Sequence, residues 1–300
     1  MIRKHTRRAV KAAFAISIGV AIIIGVFASA GASATPTVTI GTKNFPEEYI
    51  LGQLYKQALE AKGFKVAYKE NIGSTEIIDT ALTSGKIDFY PEYTGVIVAV
   101  VFHKTAPKTA QATYALAKSL QEKRGFTLFA RTPFYDRDEL GVLTSTAKQL
   151  GLKTIADLEK VSGLTICGFP EWGSRWLGPL KQTYGVGDVK FVPLAGISSY
   201  AALDAKRCKA ADVFSTDPPL AGTKYTVLTD TKNMFGFQNV APVVSKKLVA
   251  ALGPKFRQTI DAVSAKLTLE AMIAMNKAVS VDKKSAASVA GAFLKANGLK

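Results

Sequence analysis

The chain alternates short runs of β-branched and apolar residues with longer stretches in which apolar residues recur at helical spacing. In the first third of the chain, three such runs predict strands, at residues 37–40, 65–68 and 87–90. Two amphipathic helices are expected between them, one from Pro46 to about Lys62 and one from Ser74 to Gly85. This β-α-β-α-β order predicts a mainly parallel sheet with right-handed crossovers.

Local signals mark where these elements begin and end. Asn44, followed by Glu47 three residues later, is typical of a capping box at the start of the first helix. Pro91 has no backbone donor and predicts the end of the third strand. Tyr93 and Thr94 follow directly, at the carboxyl end of a strand, where open α/β sheets bind small molecules.

The α/β pattern starts again after a charged break at residues 133–139. Before that break, helices are predicted at residues 94–102 and 107–123. After it, strands are predicted at residues 140–143, 164–169, 190–193, 211–214 and 225–228, and helices at residues 177–184 and 198–208. Residues 154–157 are expected to cap a further short helix. Beyond Pro242 only helices are predicted, at residues 254–267, 268–277 and 284–296.

A second α/β pattern followed by a helical tail predicts an α/β protein with two lobes. The first lobe is expected to combine residues 35–137 with the tail, residues 239–300, because the tail has no sheet of its own. Residues 138–238 are expected to form the second lobe. Two lobes joined by two crossing strands, with a cleft between them, are the architecture of hinge-closing solute receptors.

The N-terminal segment, residues 1–34, has the pattern of an export signal. A basic start from Arg3 to Lys11 precedes an uncharged run from Ala12 to Ala30, and small residues then form two cleavage-like sites. Because the run is also long enough to span a bilayer, an uncleaved anchor stays open as the alternative. Either way, we expect an exported protein, in the periplasm or at the outer face of the cytoplasmic membrane.

Net charge is +16 for 300 residues, and five basic residues within the N-terminal segment leave +11 for the rest of the chain. The remaining lysines are spread along the sequence, without an arginine-rich block or a recognisable nucleic-acid-binding module. We interpret this charge as a solvated surface and expect no nucleic-acid partner.

Catalytic and metal-binding motifs are sparse. Beyond the N-terminal segment His103 is the only histidine, which excludes a two-histidine metal site, and we interpret it as a surface residue. No nucleophile elbow, phosphate loop or dinucleotide fingerprint occurs. Cys167 and Cys208 would share an oxidising compartment that permits a disulfide, but their spacing leaves two free thiols open. These observations predict no enzyme activity, no metal and no cofactor.

Three segments taken together resemble the glycine betaine/choline/carnitine substrate-binding proteins of osmoprotectant ABC importers. They are GTKNFPEEYILGQ (residues 41–53), GSTEII (73–78) and GKIDFYPEYTG (85–95), with further matches in EWGSR (171–175), DVFSTD (212–217) and VAPVV (240–244). The resemblance covers roughly residues 38–298. It implies a type II periplasmic-binding-protein fold with the ligand in the interlobe cleft, and a membrane permease and a cytoplasmic ATPase as partners. We expect a monomeric receptor without activity of its own.

The resemblance also implies roles for particular residues. Lys43 and Arg175 match the family's carboxylate-holding lysine and arginine, and Tyr93 matches one tyrosine of its aromatic cage. Together with polar residues at predicted strand ends and helix starts, the candidate ligand-binding residues are Lys43, Ser74, Thr75, Tyr93, Thr94, Asp136, Asp138, Arg175, Phe214, Thr216 and Gln238.

The cage departs from the family's pattern. Asp138, Phe214 and Gln238 stand where the family has tyrosines, and Val96 stands where it has a threonine. One hypothesis is a related solute with hydrogen-bond donors, such as an amine or guanidinium, which would satisfy Asp138 and Gln238. Alternatively, nearby rings rebuild the cage for the standard ligand, at Tyr135, Trp172, Trp176 and Phe237.

Three functions from different classes therefore compete. The first is a solute receptor that closes around an osmoprotectant-like or quaternary-amine-like solute and delivers it to an ABC importer. The second is a membrane-tethered ligand-sensing domain, which depends on an uncleaved N-terminal anchor. The third is an enzyme on the same two-lobed scaffold, which the missing histidines and nucleophile motifs oppose.

Overall fold

The computed structural model describes residues 36–194 and 198–300, and residues 35–300 belong to one compact unit. The predicted export signal or anchor lies outside the described residues. None of the helices in the described part of the chain is both long and apolar enough to cross a bilayer.

In the first half, the elements are β1 (Val38–Lys43), α1 (Pro46–Ala61), β2 (Val66–Gly73), α2 (Thr75–Thr83), β3 (Phe89–Tyr93), α3 (Thr94–Val96) continued by a π-helical turn (Ile97–Val101), α4 (Ala110–Glu122) and β4 (Phe126–Leu128). In the second half, they are β5 (Asp138–Leu143), α5 (Thr144–Leu150), a 3₁₀ helix (Ile155–Lys160), β6 (Leu164–Gly168), α6 (Pro170–Tyr184), β7 (Val189–Pro193), α7 (Ser199–Asp204), β8 (Ala210–Phe214), a 3₁₀ helix (Pro218–Ala221), β9 (Tyr225–Val227), β10 (Val240–Ser245), α8 (Lys246–Ser264), α9 (Leu269–Ser280) and α10 (Ala286–Ala296).

These strands form two five-stranded sheets, in the orders β2-β1-β3-β10-β4 and β7-β6-β8-β5-β9. In the first sheet β1 runs parallel to β2 and β3, whereas β10 is antiparallel to β3 and β4. In the second sheet β6 is parallel to β7 and β8, and β5 is antiparallel to β8 and β9. The α/β class is confirmed, but both sheets are mixed, so the expectation of a mainly parallel sheet is wrong.

Pro91 does not end the third strand, contrary to the prediction. β3 continues through Pro91 to Tyr93 and pairs with β10, in which Pro242 stands directly opposite Pro91. Because paired residues of an antiparallel ladder alternate between bonded and non-bonded rungs, two prolines can face each other without interrupting the pair. β10 was not predicted, because the chain past Pro242 was expected to be helical.

The predicted capping box at Asn44 is also wrong. The N-cap position of α1 is Phe45, and no side chain accepts a hydrogen bond there. Glu47 instead points inward and is 4% exposed, so it is available to partners outside its own helix. By contrast, Thr154 and Asp157 form the capping box expected for the first 3₁₀ helix.

Other helices and strands begin or end at residues different from those predicted. α6 begins at Pro170, a full turn and more before the predicted start, and α7 ends at Asp204 rather than Cys208. β4 is a three-residue strand that is too short to give a clear sequence pattern, and it pairs with β10. His103 is exposed, as expected.

The first sheet is covered by helices from both ends of the chain. β3, the strand that delivers Tyr93, is buried along its whole length. Buried residues of α1, α8, α9 and α10, among them Leu54, Phe256, Met272 and Leu294, share one apolar core with β1 and β3. The start of α1 and the middle of α9 are therefore held rigidly at the edge where the candidate site lies.

Cys167 and Cys208 form a disulfide, with Cα atoms 5.7 Å apart and a sequence separation of 41, which excludes the free-thiol alternative. Both lie in an apolar cluster on the second sheet, where Cys167 of β6 pairs in register with Ala211 of β8.

Reducing this disulfide is expected to lower the free energy of unfolding by about 2–4 kcal/mol, because the open chain regains the entropy of a long loop. Urea unfolding with and without reductant measures the change. The control is the Cys167→Ala/Cys208→Ala double variant, which should match the reduced protein and ignore reductant. Unfolding curves of the unsubstituted protein that coincide with and without reductant would contradict this expectation.

Candidate functional site

Two chain segments cross side by side between the sheets. Tyr135 and Asn239 form an antiparallel bridge, the Asp136 N–H donates to the Gln238 carbonyl at 3.2 Å, and Arg137 Nη1 donates to the Gly236 carbonyl at 3.1 Å. Residues of these crossing segments line two cavities. Each cavity also takes residues from the strand ends and helix starts of both sheets.

The first cavity, here called the acidic cavity, has a volume of about 400 Å³. Its functional lining residues are Phe45, Glu47, Asp136, Phe214, Thr216, Asp217 and Asn276. Three of them carry carboxyl groups and two carry aromatic rings. On the side of the first sheet, the lining residues come from the start of α1 and from α9. On the side of the second sheet, they come from the end of β8 and the turn after it.

A hydrogen-bond network fixes the wall of the acidic cavity. The Tyr93 hydroxyl donates to Glu47 Oε1 at 2.8 Å, and Asn276 Nδ2 donates to Glu47 Oε2 at 2.8 Å. The same amide nitrogen lies 3.2 Å from the Thr216 carbonyl oxygen. Asn276 therefore ties α1 and α9 to the segment after β8, across the junction of the two sheets.

Burial makes this cavity a costly place for negative charge. Burial raises the pKa of Glu47, and hydrogen bonds from Asn276, Thr216 and Tyr93 only partly oppose it. The pKa of Asp136 is raised well above its usual range, first by burial and then by the charge of Glu47. Burial also raises the pKa of Asp217. A cation brought into the cavity would favour the charged forms of these carboxyl groups.

The second cavity, here called the arginine cavity, has a volume of about 450 Å³. Its functional lining residues are Val96, Asp138, Arg175, Trp176, Phe237 and Gln238. Gln238 is locked in place, since its Oε1 accepts from the Val96 N–H at 3.0 Å. A Cβ on Gly95 would lie 2.6 Å from the same oxygen, so a larger residue there would displace the Gln238 amide.

Two carboxyl groups share a hydrogen bond beside Arg175. Asp212 donates to Asp138, and burial followed by the charges of Asp138 and Asp217 raises the pKa of Asp212 to about 9. Burial also raises the pKa of Asp138, opposed first by the positive charge of Arg175. Arg175 is the exposed cation of this cavity, on the first half of α6, and its guanidinium suits a carboxylate.

Lys43, the predicted carboxylate ligand, lies beneath the site. Its ammonium is 2.6 Å from Glu92 Oε1 and 4.4 Å from the centroid of the Tyr93 ring, and the residue is 4% exposed. Glu92 is fully buried. A solute carboxylate would have to compete with Glu92 for this ammonium group.

Of the remaining predicted residues, Thr94 is buried within the protein, whereas Ser74 and Thr75 lie away from both cavities. Thr94 is fully buried, and its hydroxyl donates to the Phe237 carbonyl at 3.2 Å. Ser74 is exposed and donates to Glu76 at 2.7 Å, and neither Ser74 nor Thr75 lines the two cavities. Thus Asp136, Phe214 and Thr216 gather in one cavity, and Asp138, Arg175 and Gln238 gather in the other.

The positions that the sequence resemblance assigned to an aromatic cage are divided between the two cavities. Phe214 keeps a ring in the acidic cavity, whereas Asp138 and Gln238 meet new rings in the arginine cavity, those of Trp176 and Phe237. Tyr135 instead lies against the guanidinium of Arg137, and Trp172 stacks on Phe191. Two of the four replacement rings are thus available to a ligand.

Four functional lining residues of the acidic cavity were not among the predicted ligand-binding residues: Phe45, Glu47, Asp217 and Asn276. Glu47 belongs to a quoted motif but was interpreted as a cap. Asn276 follows Met275 in the interior of α9, and both residues are buried. A polar residue next to an apolar position of a predicted helix was the sequence feature that pointed to it. Over the described residues, no three His, Cys, Asp or Glu side chains are placed to hold a metal ion.

Comparisons with known proteins agree with this architecture. Residues 36–296 match the family described as the substrate binding domain of ABC-type glycine betaine transport system. A glycine-betaine-binding protein of Pseudomonas aeruginosa is 31% identical over 291 residues, covering 92% of this chain and 92% of that protein. The glycine betaine-binding protein YehZ of Escherichia coli is 27% identical over 283 residues, covering 88% and 92% respectively.

Solved structures give the same result. An apo structure of YehZ from Escherichia coli has a TM-score of 0.72 and 26% identity, covering 88% of this chain and 99% of that one. A crystal structure of a glycine betaine/carnitine/choline ABC transporter has a TM-score of 0.79 and 25% identity over the same shares. The two-lobed periplasmic-binding fold predicted from the sequence is confirmed.

Proposed function

Because the chain belongs to the substrate-binding family of ABC-type glycine betaine transport systems, we propose that it captures a small osmoprotectant-like or quaternary-amine-like solute outside the cytoplasm. It is a solute receptor of an ABC importer, a class of protein that works with a membrane permease and a cytoplasmic ATPase. Neither alternative, a tethered sensor domain or an enzyme, is favoured by the comparisons.

The observation that carries this proposal is the extent of the family match. It spans residues 36–296, so it includes both sheets, the crossing segments and all residues of the two cavities. A ligand held where both sheets contribute side chains favours the closed arrangement of the lobes, because it gains contacts from both only when they approach. The lobes would comprise residues 35–137 with 239–300, and residues 138–238.

Further parts of the proposal concern the whole receptor. We propose that residues 1–34 direct export and that the mature protein acts as a monomer in the periplasm or at the outer face of the cytoplasmic membrane. It would bind its solute without any chemical conversion and hand it to the permease. The carboxylate of a zwitterionic solute would be held by Arg175, and the rings of Trp176 and Phe237 would contact its apolar part.

A thermal-shift screen of residues 35–300 tests the receptor function. The panel contains betaine, choline, carnitine, proline betaine, ectoine, amino acids and polyamines. A ligand at about a hundred times its Kd adds about 2.7 kcal/mol to the free energy of unfolding, which raises Tm by several degrees. We expect at least one solute to produce such a shift and to bind by calorimetry. No shift with any member would contradict the receptor function for this solute class.

Replacing Arg175 locates the carboxylate. Arg175→Gln is expected to weaken the best carboxylate-bearing solute about tenfold or more, since a charge-assisted hydrogen bond is worth about 1.5–3 kcal/mol. A bound solute without a carboxylate, such as choline or a polyamine, should keep its affinity. The matched control is Lys181→Gln, exposed on the same helix. Equal losses for both kinds of solute would contradict the assignment.

A further inference from the structure

The acidic cavity lacks a positive charge of its own. Its lining includes the carboxyl groups of Glu47, Asp136 and Asp217, and none of the residues that line it is a lysine or arginine. The nearest buried ammonium, that of Lys43, is already paired with Glu92 at 2.6 Å. The cavity therefore offers carboxyl groups and acceptor oxygens without a matching cation.

The orientation of Asn276 leaves an acceptor without a donor in the wall of this cavity. Asn276 is 7% exposed, and its Nδ2 is directed at the Glu47 carboxyl and at the Thr216 carbonyl. A backbone carbonyl only accepts, so the amide nitrogen must face it and the amide oxygen must face the other way. Oδ1 of this cavity-lining residue is buried and has no donor.

Asp136 adds a second acceptor of the same kind. Its Oδ1 is buried without a hydrogen-bond donor, although the residue lines the same cavity. A buried acceptor without a donor costs about 1–3 kcal/mol. A ligand with N–H donors would remove that cost at both oxygens, whereas a trimethylammonium group has no N–H to donate. These two oxygens would therefore favour a cation with N–H groups over a quaternary one.

The other walls of the cavity fit an organic cation. The lining also includes the apolar side chains of Phe45, Pro46, Phe214 and Pro218. Aromatic faces attract cations in addition to packing against alkyl groups. The arrangement of the described acidic side chains does not form a metal-coordinating cluster. An organic cation with an alkyl body matches both the charged and the apolar surfaces.

We propose that the acidic cavity is a subsite for a protonated nitrogen that bears N–H donors, a primary or secondary ammonium or a guanidinium, held by Glu47, Asp136, Asp217 and the amide oxygen of Asn276 between the rings of Phe45 and Phe214. This assignment rests on the proposed receptor function, because it names the substrate class of that receptor. The sequence hypothesis placed the cation near Asp138 and Gln238, which line the arginine cavity. The present assignment places it in the acidic cavity instead.

Calorimetry with solute pairs that differ only in N-methylation tests the substrate class. The probes are ethanolamine with choline, and γ-aminobutyrate with γ-butyrobetaine, together with agmatine as a guanidinium compound. We expect the N–H member of at least one pair, or agmatine, to bind at least tenfold more tightly than any quaternary probe. Tighter binding of the quaternary members would overturn this assignment and leave the receptor function standing. If no probe and no member of the thermal-shift panel binds, both the subsite assignment and the receptor function are overturned.

Substitutions locate the cation within the protein. Asp136→Asn and Asn276→Ala should each weaken the best N–H probe about tenfold or more, which corresponds to about 1.4 kcal/mol. The control is Asp282→Asn, an exposed carboxylate just beyond α9, which should leave the affinity unchanged. Melting temperatures of the empty variants report their folding. Loss of binding in Asp138→Asn together with full binding in Asp136→Asn would overturn the assignment and place the cation in the arginine cavity.

Discussion

Replacing Lys43 with methionine is expected to lower the free energy of unfolding by about 3–5 kcal/mol, because it leaves the Glu92 carboxylate buried without its partner. Lys43 and Glu92 are 4% and 0% exposed, and their charged atoms are 2.6 Å apart. Glu92 Oε1 also accepts from the Tyr93 N–H at 2.8 Å, so the carboxylate cannot turn toward solvent without losing a second bond. Chemical unfolding measures the loss.

Removing the charge of the partner should restore most of that stability. In Lys43→Met/Glu92→Gln, the glutamine oxygen still accepts from the Tyr93 N–H, and no charge stays buried. The control is Lys56→Met, which breaks the ion pair with Glu60 on the outer side of α1 and should cost less than about 1 kcal/mol. A Lys43→Met variant as stable as Lys56→Met would contradict the argument.

The double variant also separates two roles of Lys43. The resemblance implies that this lysine holds a solute carboxylate, whereas the structure pairs it with Glu92. Solute titrations of the restored double variant isolate the binding role, because its fold is intact. A Kd equal to that of the unsubstituted protein would assign Lys43 to the structure alone.

Stability is expected to fall between about pH 4 and pH 9, by several kcal/mol in total. In the unfolded chain Asp212 loses its proton near the ordinary pKa of 3.8, but in the folded protein burial raises the pKa to about 9. Glu48, raised from 4.5 to about 8 chiefly by burial, acts in the same direction. Between these values the unfolded chain binds fewer protons than the folded protein, so raising the pH favours unfolding.

Asp212→Asn should flatten this dependence. An asparagine amide can donate to Asp138 at every pH, so it replaces the shared proton permanently. We expect the variant to resemble the unsubstituted protein near pH 4 and to exceed its stability near pH 9. Urea unfolding at several pH values gives both curves, with the exposed Asp188→Asn as the matched control. Parallel curves for Asp212→Asn and the unsubstituted protein would contradict the shift.

Much of the local structure could be predicted from the sequence. The strands that begin at Val38, Val66 and Leu164, and the helix that follows Phe45, all lie where the apolar periodicity places them. Periodicity succeeds here because a residue's face on a helix or strand depends on near neighbours in the chain. The same applies to the candidate residues at strand ends, since Tyr93 and Phe214 terminate β3 and β8.

Errors arose where a distant segment decided the outcome. β3 passes through Pro91 because β10 pairs with it from about 150 residues away, a contact that no local pattern records. Glu47 leaves the capping position because Tyr93 and Asn276 offer stronger bonds in a buried setting. Local preferences for helix caps and strand ends are overridden where burial would leave a polar group without a hydrogen-bond partner, because such a group lowers stability.

The sequence by itself determined the α/β class, the family and the positions of most strands, because these depend on local periodicity and on motifs of adjacent residues. Tertiary structure alone decided the partner of Lys43, the pairing of Cys167 with Cys208 and the meeting of Glu47 with Asn276. It also divided the candidate residues between two cavities. Such contacts join residues that are 41 to 229 positions apart, and only packing of the whole chain brings them together.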